Sequence, residues 1–264
     1  MNVLLDALPA FLLIFCRITA FFVSVPVFSS RNVPVPFKIG LSFFVTLITY
    51  GVVAPTETFP MDPGFVLLIA KETLVGLMLG FVAYLFFTVV QIAGSFMDMQ
   101  IGYSLANIID PMTGTPSPIL GNFKYMVGTM LFLSFNGHHA LLKGIMGSYN
   151  WVPLDNEVFA RIYHGSLNEF FVRSVSQVFG LALQMSAPIV IALFLVDVGL
   201  GILARVAPQF NIFVVGIPIK IIVGLLLLIL LVSAFPNLFR ELFNAMFAAM
   251  ENLLRLLGSS PASS

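Results

Sequence analysis

An apolar run of 33 residues, Phe65 to Met97, constrains this chain more than any other feature. A membrane-spanning helix needs roughly 20 apolar residues, and at 1.5 Å per residue this run would reach about 50 Å against a hydrocarbon core of about 30 Å. It must tilt strongly, break, or leave the bilayer. Five further apolar runs fall at about Leu8 to Phe28, Phe37 to Val53, Phe123 to Phe135, Val172 to Leu203 and Ile212 to Phe235. Phe123 to Phe135 is too short to span unless it continues through "NGHHALLKGIMG". With 59% hydrophobic and 9% charged residues, where soluble domains carry about 25% charge, the expected class is an all-α membrane protein of about six apolar helical segments.

Composition also removes several functions. Twelve basic and twelve acidic side chains cancel, so no global field attracts nucleic acid, and no nucleic-acid partner is expected. Cys16 is the only cysteine and is read as a buried structural thiol; no Cys/His spacing suits a metal, and no cofactor is implied. Neither a nucleophile elbow, a zinc-protease helix nor a phosphate loop occurs, so an enzyme is not expected. The first apolar run lacks a basic leader and is read as a retained membrane helix. Arg31 and Lys38 place the first connection on the cytoplasmic side, and Glu57 and Asp62 place the next one outside.

Ionisable groups inside apolar runs face protein or water. They are Arg17, Glu72, Asp98, Lys124, Asp197, Arg205 and Lys220. On an ideal helix Glu72, Gly76, Gly80, Ala83, Gln91, Gly94 and Asp98 project within about 100° of one another, giving a small, polar stripe. Gly76 to Gly80 is a G-x-x-x-G, which lets another backbone come close. Glu72, Gly76, Gly80, Gly94 and Asp98 therefore read as a subunit-packing seam, with a proton relay as the sharper alternative. Lys124, Asp197, Arg205 and Lys220 are candidate buried charges, and the three basic ones could neutralise the carboxylates of the stripe. Pro188 and Pro218 are expected to break the fifth and sixth runs.

Gly102 to Tyr125, "GYSLANIIDPMTGTPSPILGNFKY", is a polar interruption in this apolar chain. Asp110 and Pro111 begin a turn, Gly114 permits positive φ, and Pro116 and Pro118 block helix and strand. His138 and His139 would point about 100° apart on a helix and bind no common metal, so a turn led by Asn136 and Gly137 is the plainer reading. In "PNLFRELFNAMFAAMENLLRLLG", Arg240, Asn244, Glu251 and Arg255 gather in an arc of roughly 60°. This is expected to be an amphipathic helix that lies at the membrane interface or docks on a partner, with Pro236 near its start and Gly258 after its end. Residues 258–264 read as a disordered tail.

Four stretches carry a resemblance: "KETLVGLMLG", "AGSFMDMQIGYSLANIIDP", "FNGHHALLKGIMGSYNWVPL" and "ARVAPQFNIFVVGIPIKIIVGL". In order and spacing they resemble the FliR family of bacterial flagellar export-apparatus proteins, related to the SctT and SpaR subunits of virulence secretion systems. The resemblance implies kinked helical hairpins: one integral membrane domain over residues 1–257, FliP-like to about 175 and FliQ-like over about 175–240. It implies a non-enzymatic subunit of the flagellar type III export gate in the bacterial inner membrane, at the flagellar basal body. The partners it implies are FliP-like and FliQ-like subunits, FlhB and FlhA, unfolded flagellar proteins and membrane lipid. It implies a plug in the closed pore formed by Asp110, Pro111, Met112, Thr113, Gly114, Thr115, Pro116, Ser117 and Pro118, with the adaptable side chains of Met97, Met99 and Met126 as a hydrophobic seal. A secondary transporter with an intramembrane carboxylate is the rival reading.

Overall fold

The computed structural model describes residues 2–30, 33–53, 59–60, 62–102, 119–154, 166–209 and 211–258. Among these the fold is all-α. The helices are α1 (Asn2–Ser24), α2 (Val35–Val53), α3 (Pro63–Ile101), α4 (Ile119–Ser134), α5 (Gly137–Trp151), α6 (Ser166–Val206), α7 (Ile212–Leu231) and α8 (Phe235–Leu257), with a 3-10 turn, Val232–Ala234, before α8. Five helical segments are long and apolar enough to cross a membrane: Ala7–Ser24, Val35–Val53, Pro63–Ile101, Leu167–Val206 and Val214–Leu257.

The overlong run does not break. α3 is a single helix of 39 residues, about 58 Å at the standard rise, and Asp62 starts it by accepting the Phe65 N–H at 3.1 Å. The expected breaks at Pro188 and Pro218 are corrected too, since both prolines lie inside continuous helices. A proline removes one donor and leaves one carbonyl without its helical partner; that loss has not divided either helix here. The short run, by contrast, does not lengthen. α4 ends at Ser134, and Asn136 adopts φ 58° and ψ 27°, the left-handed region that asparagine tolerates better than most side chains, before α5 begins.

The chain divides into two compact units, residues 1–85, 136–175 and 244–264 in one and residues 86–135 and 176–243 in the other. In the first, Leu13, Ile14, Ile18 and Phe21 of α1, Val75 and Leu79 of α3, Leu141 and Ile145 of α5, and Met246, Leu253 and Leu257 of α8 are buried. α2 inverts the usual pattern. Its buried face carries Ser42, Thr46 and Thr49, whose hydroxyls donate to carbonyls one turn back at 2.7–2.8 Å, while Phe37, Phe44, Leu47, Ile48 and Val52 are exposed. Hydroxyls satisfied within their own helix need no water, so a polar face can sit inside and an apolar face outside.

In the second unit, Phe87, Phe132 and Phe243 form a cluster with ring centroids 5.0–5.7 Å apart. Phe239 presses against Gly128, where any side chain would overlap its ring. α7 exposes Val214, Ile222, Leu226, Ile229 and Leu230. α8 gives residues to both units, and its apolar side chains Phe239, Leu242, Met246, Leu253 and Leu257 are all buried within the protein. The expectation of an interfacial or partner-docking helix is thereby corrected: the amphipathic pattern faces this chain's own core.

Candidate functional site

The polar stripe of α3 meets charge in both units. In the first, Arg17 on α1 is fully buried and donates from Nε to Glu72 Oε2 at 2.6 Å and from Nη2 to Glu72 Oε1 at 3.0 Å. Such a fork fixes geometry as well as charge. Lys71 lies 3.2 Å from the same carboxylate. Two cations then share one anion, and the turn after α5 takes up the difference. Arg17 Nη2 donates to the Val152 carbonyl at 2.8 Å, and Lys71 Nζ donates to the carbonyls of Pro153 and Leu154. Main-chain carbonyls of the turn that follows α5 thus serve as the acceptors that the two buried cations need. Ser148 Oγ accepts from Arg17 Nη1 at 3.0 Å, and the Tyr149 ring lies 3.9 Å beneath the guanidinium. Burial pushes the Tyr149 phenol well above its ordinary pKa, and its hydroxyl donates to the Ile14 carbonyl at 3.4 Å.

Glycines make this approach possible. A Cβ on Gly76 would overlap the Arg17 carbonyl oxygen, and one on Gly80 would overlap the Ser24 hydroxyl. The G-x-x-x-G is therefore where α1 crosses α3.

In the second unit the stripe continues against α4. Gly94 sits on Gly121, backbone to backbone, where a Cβ has no room. One turn further along α3, Asp98 accepts the Leu120 N–H at 3.2 Å on each oxygen and so caps the start of α4. Lys124 is 1% exposed, with Nζ 3.7 Å from Met97 Sδ and 5.0 Å from the centre of the Phe235 ring. On α6 and α7, Asp197 receives Lys220 at 2.9 Å and Gln100 of α3 at 2.8 Å.

These placements revise the sequence expectations. The stripe expected to pack a neighbouring subunit meets helices of its own chain, α1 at Gly76 and Gly80, the helix that pairs Glu72, and α4 at Gly94 and Asp98. Among the described residues, Lys124, Arg205 and Lys220 form no ion pair with the stripe. Glu72 is paired by Arg17 and Lys71, Lys220 pairs with Asp197, and Arg205 is exposed rather than buried. Asp197 is only half-buried. The role of Lys71 was missed; its adjacency to Glu72 in "KE" was the available signal. Met97 is fully buried in the core, which corrects its place in a seal, whereas Met99 and Met126 are exposed. Met99 lines a groove of about 480 Å³ with Phe96, Leu183, Val190 and Ile191. The expected plug, Asp110 to Pro118, lies outside the described residues. The His138 and His139 rings lie 4.2 Å apart and tilted by 43°, and no cluster of three metal-ligating side chains occurs among the described residues.

Residues 8–246 match the family described as bacterial export proteins, family 1. The flagellar biosynthetic protein FliR of Bacillus subtilis is 45% identical over 260 residues, covering 98% of this chain and all of that protein. The FliR of Escherichia coli is 31% identical over 80% of each chain, and the Yop proteins translocation protein T of Yersinia pestis is 32% identical over 81% of this chain and 82% of its own length. The fold and these relationships define a multi-pass membrane protein of bacterial export. Within that class, the chain belongs to the FliR family.

Proposed function

We propose that this chain is a non-enzymatic subunit of the flagellar type III protein export gate. The carrying observation is the near full-length match to FliR of Bacillus subtilis, joined to a family match over residues 8–246. The chain works in the inner membrane at the flagellar basal body, with FliP-like and FliQ-like subunits, FlhB and FlhA as its neighbours and unfolded flagellar proteins as cargo. The exposed apolar faces of α2, α6 and α7 support this reading: surfaces of that size on a native protein are covered by lipid or by other chains. Against a secondary transporter, Glu72 is paired by Arg17 and Lys71, and Pro188 and Pro218, where that reading needs broken helices, lie inside continuous ones.

Within the gate, Asp110 to Pro118 serves as the plug, and Met99 and Met126, at the flanking helices, supply adaptable apolar contacts around it. The test has two arms. Tagged chain purified from the cell membrane should bring several different membrane proteins with it; a stable stand-alone oligomer that moves a small solute would defeat the export reading. Deleting Pro111 to Ser117 should keep assembly and raise leakage of small ions through the membrane, and unchanged leakage would defeat the plug alone.

A further inference from the structure

The ion pair between α6 and α7 stands open to whatever surrounds the protein. Asp197 lies about 14 Å from the end of α6 and Lys220 about 12 Å from the start of α7, so where these apolar helices cross a bilayer the pair sits near the middle of a hydrocarbon core of about 30 Å. Yet the Asp197 side chain is 40% exposed. Its neighbours along α6, Phe194, Leu195 and Val198, are exposed as well and wholly apolar. A carboxylate at that depth needs protein or water beside it, because hydrocarbon offers it no donor.

The carboxylate also has room for one more hydrogen bond. Lys220 Nζ reaches Oδ1 at 2.9 Å and Oδ2 at 3.0 Å, and Gln100 Nε2 donates to Oδ2 at 2.8 Å. A carboxylate accepts about four such bonds, so among the described residues Oδ1 keeps one acceptor position open. Lys220 already balances the charge, and the open position therefore suits an uncharged donor better than a second cation.

An apolar receptacle adjoins it. The groove of about 480 Å³ between α3 and α6 is lined by Phe96, Leu183, Ala187, Val190 and Ile191, and Gln100, which holds Asp197, lines it too. Val190 and Asp197 share a face of α6, about 10 Å apart along its axis. A lipid acyl chain in the groove would leave Oδ1 bare. A helix satisfies both places, with a bulky apolar side chain in the groove and a hydroxyl or amide two turns along at Asp197.

We propose that this groove and Asp197 together receive a membrane helix of a different protein, one that carries a large apolar side chain and, two turns from it, an uncharged hydrogen-bond donor for the Asp197 carboxylate. That this protein is another subunit of the gate rests on the export reading; the chemistry of the site does not.

The experiment uses the full chain in its native cell membrane. A photo-crosslinking phenylalanine in place of Ile191, or of Leu183 should that position be better accepted, should join the chain to one membrane protein of different mass. Adducts with lipid alone, with a second copy of the chain, or with nothing beyond the chain itself overturn the proposal. Two uncharged double variants then separate recognition from folding. Asp197→Leu with Lys220→Leu removes the pair and its acceptor, whereas Asp197→Asn with Lys220→Met removes the charges and keeps an acceptor carbonyl. Both should melt within a few degrees of wild type in detergent, since neither leaves a lone charge. The leucine variant should recover the crosslinked protein at least about tenfold less, because its donor is left unpaired, and the asparagine variant within about twofold of wild type. Ala187→Trp fills the groove and should lose the partner as well; it carries the test if the leucine variant does not accumulate. Equal recovery by the leucine and asparagine variants, or full recovery by Ala187→Trp, overturns the proposal. If the crosslinked protein proves dispensable for flagellar secretion, the site stands and the export reading falls.

Discussion

Arg17 and Glu72, 55 residues apart, are joined by a two-point fork at 2.6 and 3.0 Å with neither side chain exposed to solvent. Removing one member of a buried pair leaves an uncompensated charge and costs about 3–5 kcal/mol. Glu72→Ala is the harsher case, since Arg17 and Lys71 would then face each other with no anion between them. Thermal melting of the purified chain should show Glu72→Ala below Arg17→Ala, and Arg17→Lys below wild type because an ammonium cannot supply the fork.

The helix crossings give a steric prediction. Gly76→Val and Gly94→Val each place side-chain atoms where a backbone already lies. Overpacking of this kind costs about 1–3 kcal/mol, and more where the neighbour is main chain that cannot rotate away. Gly199→Val, whose Cβ meets open space, is the matched control. A lower membrane level for the first two and an unchanged level for the third is the expected immunoblot result.

Val27 has φ 72°, a left-handed conformation that branching at Cβ makes costly. Its carbonyl accepts the Ser30 hydroxyl at 3.1 Å, which helps to hold the turn that follows α1. Such strain is worth roughly 1–3 kcal/mol, part of which glycine would return as greater freedom of the unfolded chain. Val27→Gly should therefore raise the melting temperature modestly, a gain of about 1 kcal/mol; a fall would show that the valine side chain contributes more than its backbone costs.

Ion pairs at the surface should matter far less. Arg173 and Glu169 meet at 2.6 Å, but their side chains are 77% and 66% exposed. Pairs of this type contribute about 0.3–0.5 kcal/mol. Arg173→Gln should melt within about 0.5 kcal/mol of wild type and lose even that difference in high salt.

Helices were legible from the apolar runs because a membrane chain has few ways to satisfy its backbone, and the bounds of α3 and α7 follow closely from composition. Proline misled, since Pro188 and Pro218 were read by their local cost while the helices around them continue. The stripe from Glu72 to Asp98 was legible as one face at helical spacing. What covers it was not, because period reports a direction and not a neighbour. Arg17 lay in view as an intramembrane cation, yet its partner is 55 residues away and no local pattern links them. The C-terminal helix shows the same limit: an apolar arc says that something will cover it, and here the cover is the chain itself.

The inverted face of α2 has a consequence for the life of the chain before assembly. With hydroxyls inside and phenylalanines outside, it has no resting form in water and no gain from staying single. A chain carrying such a face has to reach the bilayer as it is made, because water offers that face no cover.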